Sequence, residues 1–262
     1  MGTQSLWFCG DTHGSLGHVV EHVLNAHAAR QAPAAIILLG DIDAPRPLHL
    51  ELQAITGLTK IYWIPGNHDG DDNSAWNNLY ASDLADCNLD RRVAEIASWR
   101  VAGLGGIFRR RIWAPPEQPL FTSYQAWRTE LIARRPPKDF GLSESSEERR
   151  NLTTIFPEAI DGLEKLGAEI LVTHEAPECR NDDRGWQAIG DLARRLGARF
   201  AFHGHHHDRP DYEARFPELG FQAHAVGFRG ITALDCDGRV SVIRSGDYDA
   251  AGTVRGGEGD DD

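Results

Sequence analysis

Five short apolar runs, each closed by polar residues able to ligate a metal, constrain this chain more than any other feature. Leu6-Trp7-Phe8-Cys9 stops at Gly10-Asp11-Thr12-His13-Gly14, Ala34 to Leu39 stops at Gly40-Asp41, and Lys60 to Ile64 stops at Pro65-Gly66-Asn67-His68-Asp69. Ile170 to Thr173 stops at His174, and Phe200 to Phe202 stops at His203-Gly204-His205-His206-His207. Near-continuous apolar runs of this length read as strands buried on both faces, as in parallel sheets. Behind the first of them Val19, Val20, Val23, Leu24 and Ala28 recur at helical spacing, so the unit is strand, loop, helix. In open α/β sheets the binding crevice lies at the carboxyl ends of the strands. The five polar loops are therefore expected to converge, although they are distant in sequence.

From Arg91 to Ile107 and from Phe221 to Ile243 the pattern alternates and is punctuated by glycine, which predicts antiparallel strands or a second sheet edge. A chain of 262 residues can bury a sizeable core as one large domain, and a single domain is expected over residues 1–244. Within it, residues 108–150 carry paired prolines, the run Arg109-Arg110-Arg111, Trp113 and Trp127, and read as a largely helical insertion or lid. Such insertions form variable rims, so this one is expected to border the cleft; its run Arg109-Arg110-Arg111 reads first as a solvated face and second as a grip on a non-scissile phosphate. Residues 245–262, rich in Gly and Asp, read as a disordered acidic tail.

Asp11 and His13 point the same way if their segment is extended, and so do His205 and His207. Asp41 could bridge two cations with its two oxygens, Asn67 offers a neutral amide oxygen, and His174 adds an imidazole. Carboxylate, amide and imidazole without thiolate suit Mn²⁺, Fe, Zn²⁺ or Ni²⁺ better than Ca²⁺. The cysteines, Cys9, Cys87, Cys179 and Cys236, form no Cys-x-x-Cys pair, against a thiolate zinc site or a disulfide framework. A net charge of −12 repels phosphate backbones and anionic membranes. Two divalent ions set against two aspartates and a hydroxide leave about one net positive charge, which would make a phosphate-attracting pocket inside an acidic protein. Singly, an aspartate after a strand is often a helix N-cap and a lone histidine often packs, but joint occurrence at five strand ends outweighs both. His18, His22, His27, His49 and His224 lie outside the blocks and read as structural. By alternation His206 points away from its neighbours, and His203 stands behind His205 and His207.

Taken in order, Asp11-x-His13, Gly40-Asp41, Gly66-Asn67-His68-Asp69, Thr173-His174 and Gly204-His205-His206-His207 resemble the signature blocks of the calcineurin-like metallophosphoesterases, over residues 6 to 207. The resemblance implies an α/β fold, a four-layer sandwich of two mixed β-sheets flanked by helices. It implies two divalent metal ions, manganese first among the candidates, with Asp11, His13, Asp41 and His207 on one and Asp41, Asn67, His174 and His205 on the other. It further implies a hydrolase in which a metal-bridging hydroxide attacks a phosphomonoester or phosphodiester in line while His68 protonates the leaving group. The substrate expected is a small molecule or nucleotide ahead of nucleic acid. Asp41 is followed by Ile42-Asp43-Ala44-Pro45-Arg46, out of register with the Gly-Asp-x-x-Asp-Arg-Gly of the Ser/Thr protein phosphatase branch. That branch is set aside, and Asp69 or Asp43 becomes the candidate to orient His68. Two rivals stand beside this reading: a nuclease on single-stranded or branched nucleic acid, which needs a local basic track, and a non-catalytic scaffold that binds protein, which should have lost ligands. With neither a membrane-length apolar run nor a signal-like N-terminus, a cytoplasmic chain is expected.

Overall fold

The computed structural model of the chain describes residues 5–134, 146–178 and 184–249. Two five-stranded sheets face one another. In the first, β1 (Leu6–Cys9), β2 (Ala35–Leu38) and β3 (Lys60–Trp63) are parallel, and β9 (Ile231–Leu234) and β10 (Val240–Arg244) are antiparallel at the edge, in the order β10-β9-β1-β2-β3. In the second, β4 (Arg92–Ile96) and β5 (Trp99–Leu104) form an antiparallel hairpin, while β5, β6 (Ile170–Thr173), β7 (Phe200–His203) and β8 (Gln222–Ala225) run parallel. Its order is β4-β5-β6-β7-β8. Both sheets are mixed. The alternating stretch at Phe221 proves half parallel, because β8 returns through helix and adds to β7, while β9 crosses to the other sheet.

Alternation along each strand divides the apolar side chains between two cores. Leu6, Phe8, Ala35 and Ile37 face the second sheet and meet Val101, Val172 and Phe202, the Phe8 and Phe202 rings stacking at 3.7 Å. Trp7, Cys9, Ile36 and Leu38 face outward onto Val19 and Val23 of α1 (Gly17–Ala28), Leu48 of α2 (Leu48–Glu51) and Leu79 of α3 (Asn73–Tyr80). On the far side Ala102, Leu171 and Ala201 pack against α6 (Pro157–Leu163) and α7 (Gln187–Leu196). Ile189, Leu192, Ala193 and Leu196 make the buried stripe of α7, at the i, i+3, i+4, i+7 spacing of a helix face. Helix, sheet, sheet, helix is thus the layer order, and strands buried on both faces explain why the sequence runs were apolar throughout.

Two expectations need correction. Residues 108–123 are bends and turns, not helix, since Pro115, Pro116 and Pro119 remove the donors a helix needs. The helices of the region are α4 (Tyr124–Arg134) and α5 (Ser146–Leu152), and residues 135–145 lie outside the described residues. The break expected at 245 falls too early: Asp247 pairs with Arg244 at 2.6 Å, and the Gly246 amide donates to Asp249 at 2.7 Å. Residues 250–262 lie outside the described residues, as does Cys179.

Candidate metal centre

The carboxyl ends of β1, β2, β3, β6 and β7 bring their loops to one place. Gly40 and Gly66 make this possible, because a Cβ at Gly66 would overlap the Asp41 carboxylate and one at Gly40 would overlap the His174 ring. Asp11, His13, Asp41 and His207 each offer a donor atom within 4.8 Å of the others, and Asp41, His174 and His205 do the same. Asp41 is common to both groups. Its Oδ2 lies 3.7 Å from His13 Nε2 and 3.3 Å from His174 Nε2, while Oδ1 accepts from the His68 amide at 2.9 Å. Asn67 Oδ1 is 3.0 Å from His174 Nε2, which joins the amide to the second group.

The hydrogen bonds around these groups fit a cation. His174 Nδ1 donates to the Leu39 carbonyl at 2.8 Å, so in the neutral ring Nε2 carries a lone pair. That lone pair faces the oxygens of Asn67 and Asp41, themselves acceptors, and only a proton or a metal between them removes the conflict. Likewise His13 Nδ1 donates to Asp43 at 2.9 Å, which turns its Nε2 toward His207 Nε2 at 3.3 Å. Without metal a proton takes the place: burial opposes a charged His174, yet Asp41 and Asp11 outweigh it and raise its pKa to about 10. Burial, with Asp41 beside it, pushes Asp11 up to about 7. His207 is driven down to about 4 by burial and by His13, and burial and His174 push His205 well below its ordinary value. Both stay neutral and able to donate lone pairs.

The backbone here is not extended as the same-side spacing assumed. His13, Asp41, His205 and His207 have φ of 38°, 46°, 72° and 60°, a left-handed conformation that costs energy in non-glycine residues and clusters at functional sites. The curl sends His205 toward His174 and His207 toward His13. It also keeps His206 near: its ring is 4.6 Å from that of His205, its Nε2 donates to the Arg184 carbonyl at 2.9 Å, and it forms a third donor group with Glu175 and His205. Glu175 was missed in the sequence, having no motif of its own. His203 is buried in β7 against Tyr212.

Neither carboxylate proposed to orient His68 does so. Asp69 is buried and accepts from the amides of Ile42, Asp43 and Gly66 at 2.9, 2.9 and 2.7 Å, which staples two ligand loops together. Asp43 holds His13. The partner of His68 is Asp71, which caps the 3-10 segment His68–Gly70 at its C-terminal end: His68 Nδ1 donates to Asp71 Oδ2 at 3.0 Å, and Arg150 Nε of α5 donates to Asp71 Oδ1 at 3.0 Å. The hydrogen bond to Asp71, helped by Asp41 against burial, raises the His68 pKa to about 9. Arg109, read as part of a solvated face or as a grip on substrate, instead donates to the carbonyls of Arg150 and Thr153 and to Thr154 Oγ1, at 3.1, 3.1 and 2.8 Å. Arg110 and Arg111 are exposed.

Two mixed five-stranded sheets flanked by helices, with imidazole and carboxylate donors gathered at the strand ends, constitute the metallophosphoesterase fold. The chain belongs to the calcineurin-like phosphoesterase family, whose pattern matches residues 5–209. An uncharacterized protein of Haemophilus influenzae is 34% identical to it over 224 residues, covering 86% of this chain and 91% of that one. A Thermus thermophilus protein of solved structure, TT1561, shares the fold with a TM-score of 0.56 at 13% identity, over 92% of this chain and 99% of its own. Among the described residues no helix is long and apolar enough to cross a membrane.

Proposed function

We propose that this chain is a dinuclear metal-dependent phosphoesterase, with Asp11, His13, Asp41 and His207 holding one divalent cation and Asp41, Asn67, His174 and His205 the other. The observation that carries this is the single Asp41 Oδ2 set between His13 Nε2 and His174 Nε2 at 3.7 and 3.3 Å. Divalent cations held there supply concentrated positive charge and Lewis acidity to the oxygens of a bound phosphoester. Mn²⁺ is the first candidate, and the mixed oxygen and nitrogen donor set is equally open to Fe, Zn²⁺ and Ni²⁺.

His68 has the other task. Its Nδ1 is committed to Asp71, which leaves Nε2 to hand a proton to the leaving oxygen. Nearby cations would lower its pKa from about 9 toward neutrality, where a general acid works best. Arg150 holds Asp71 from the other side, so α5 reaches the proton donor although it contributes no ligand. Asp43 and Leu39 fix the His13 and His174 rings by their Nδ1 atoms, which sets the tautomer with a lone pair on Nε2.

The nuclease alternative draws no support from residues 108–134: Arg109 is spent on internal carbonyls, and the chain carries −12. The scaffold alternative fares worse, since every block residue is retained. The test is hydrolysis of p-nitrophenyl phosphate and of bis-p-nitrophenyl phosphate by protein reconstituted with Mn²⁺, Fe²⁺, Zn²⁺ or Ni²⁺. Turnover of either, abolished by chelation and restored by metal, is expected. No turnover with any metal would overturn the proposal.

A further inference from the structure

Two aromatic side chains stand beside the candidate metal centre without joining any of the apolar cores. Phe228 and Tyr248 are half-buried, belong to none of the buried clusters, and stack with centroids 5.0 Å and planes 24° apart. The Phe228 ring lies 4.8 Å from that of His207 and 5.4 Å from that of His13, and the Tyr248 ring lies 6.3 Å from His207. A contiguous apolar surface kept out of the core and next to a reactive centre marks a binding surface.

The pair is held rigidly. Between β8 and β9 the Phe228 amide donates to the His207 carbonyl at 3.0 Å, the Arg229 amide to the Asp11 carbonyl at 3.3 Å, and the Gly10 amide to the Gly230 carbonyl at 3.1 Å. The loop is thereby tied to the first and last ligand loops. After β10, the Asp247 amide donates to the Phe228 carbonyl at 2.9 Å, and the Asp247 carboxylate pairs with Arg244 at 2.6 Å. Tyr248 therefore rides on a turn locked to the Phe228 loop. Both segments lie beyond residues 5–209, the part that the family pattern matches.

The contacts of Phe228 show which ring is presented. Arg229 Cζ lies 4.7 Å from its centroid and Tyr248 stacks on it, whereas Tyr248 has Phe228 and His207 as its ring neighbours among the described residues. We propose that Tyr248, backed by Phe228, is a stacking subsite for the heteroaromatic ring of a mononucleotide whose phosphate lies at the metal centre. A flat ring is what an aromatic face selects, and a net charge of −12 disfavours polyanions over a ligand with one phosphate. This rests on the phosphoesterase reading above and names the substrate class for it.

The test compares adenosine 5′-monophosphate with ribose 5-phosphate, which lacks the ring, on Mn²⁺-reconstituted full-length protein. The ratio of their kcat/KM values is expected to favour the nucleotide. Tyr248→Ala and Tyr248→Leu should each lower that ratio roughly tenfold, within the range that loss of one base–aromatic stack produces, and Tyr248→Phe should retain it. Independently of turnover, saturation-transfer NMR with adenosine should show base-proton contacts in the wild type that vanish in Tyr248→Ala. A ratio that Tyr248→Ala leaves unchanged, or an adenosine signal indifferent to it, would overturn the subsite. Absence of hydrolysis with a Tyr248-dependent adenosine signal would instead overturn the phosphoesterase reading and keep the subsite.

Discussion

Asp71→Asn isolates the positioning of His68 from metal binding. The carboxylate receives His68 Nδ1 and Arg150 Nε, each at 3.0 Å, one on each oxygen. His68 and Asp71 are 35% and 38% exposed, so solvent screens the pair and it contributes at most about 1 kcal/mol to stability. Its effect lies in orientation. Asparagine makes the bond to Nδ1 neutral, about half as strong as a charge-assisted one, and leaves Arg150 without its anion. A general acid contributes roughly 10²–10⁴-fold, and loss of the group that orients an imidazole typically costs about 10–100-fold. On an alkyl phosphate such as glycerol phosphate, Asp71→Asn should therefore lower kcat roughly 10–100-fold, with His68→Ala falling further. On p-nitrophenyl phosphate the loss should shrink to roughly threefold or less, because p-nitrophenolate departs without needing a proton. Arg150→Ala should act in the same direction with smaller effect, partly restored by Arg150→Lys. The assay is steady-state kinetics on both substrates, with metal content measured by elemental analysis on the same preparations. Equal loss on both leaving groups, or loss of metal from Asp71→Asn, would refute the reasoning and make Asp71 a support of the ligand loop.

Elemental analysis of reconstituted protein should give about two divalent ions per chain, and Asp41→Ala should lose at least one of them together with activity, since no shared anion then separates the cations. Retention of both ions in Asp41→Ala would remove the bridge. Arg109→Ala should lower urea stability by about 1–3 kcal/mol through the loss of three hydrogen bonds from a charged donor, while Arg110→Ala and Arg111→Ala, both exposed, should be neutral; the reverse order would return the run to a binding role. His224 packs between Phe202 and Phe216, and burial, with Arg209 nearby, lowers its pKa from 6.5 to about 4. The unfolded chain then binds the proton more readily than the folded one, so this stability is complete above pH 6.5 and is lost as pH falls toward 4, by roughly 3 kcal/mol at most. Urea titrations of His224→Leu at pH 7.5 and 4.5 should show a smaller difference between the two pH values than the wild type; an unchanged difference would place the acid sensitivity elsewhere.

Strands β1, β2, β6 and β7 were legible because each is buried on both faces, which writes an uninterrupted apolar run such as Ala34 to Leu39. Their shared polar ends were legible for the same reason. Where a segment takes its conformation from distant contacts, the reading failed. Residues 108–123 follow the paths open to a proline-rich chain against Thr154 and Glu175, with the Phe108 amide donating to Glu175 at 3.0 Å. Gln222–Ala225 alternates like an antiparallel strand, yet pairs parallel to β7, since its partner is decided by the connection through α8 (Phe216–Leu219) and not by its own pattern.

At the candidate site, the residues that the strand-end loops gather were readable in the sequence and their geometry was not. Alternation put Asp11 with His13 and His205 with His207, but it did so by assuming extended backbone. The loops instead curl through left-handed residues, and this allows neighbours two apart to serve different groups: His205 turns to His174 and Asp41, His207 to His13 and Asp11. Curling also hid Asp71. A search for a carboxylate near His68 in sequence reaches Asp69 first, yet the 3-10 turn points Asp69 inward to three amides and brings Asp71, three residues on, beneath the ring. In a tight helical turn i and i+3 share a face, so the residue that serves His68 follows from the turn type. The turn type in turn follows from the need of the buried Asp69 carboxylate to satisfy the amides of Gly66, Ile42 and Asp43. The buried aspartate and the aspartate that holds the His68 ring are thus two consequences of one turn, and moving either would displace His68.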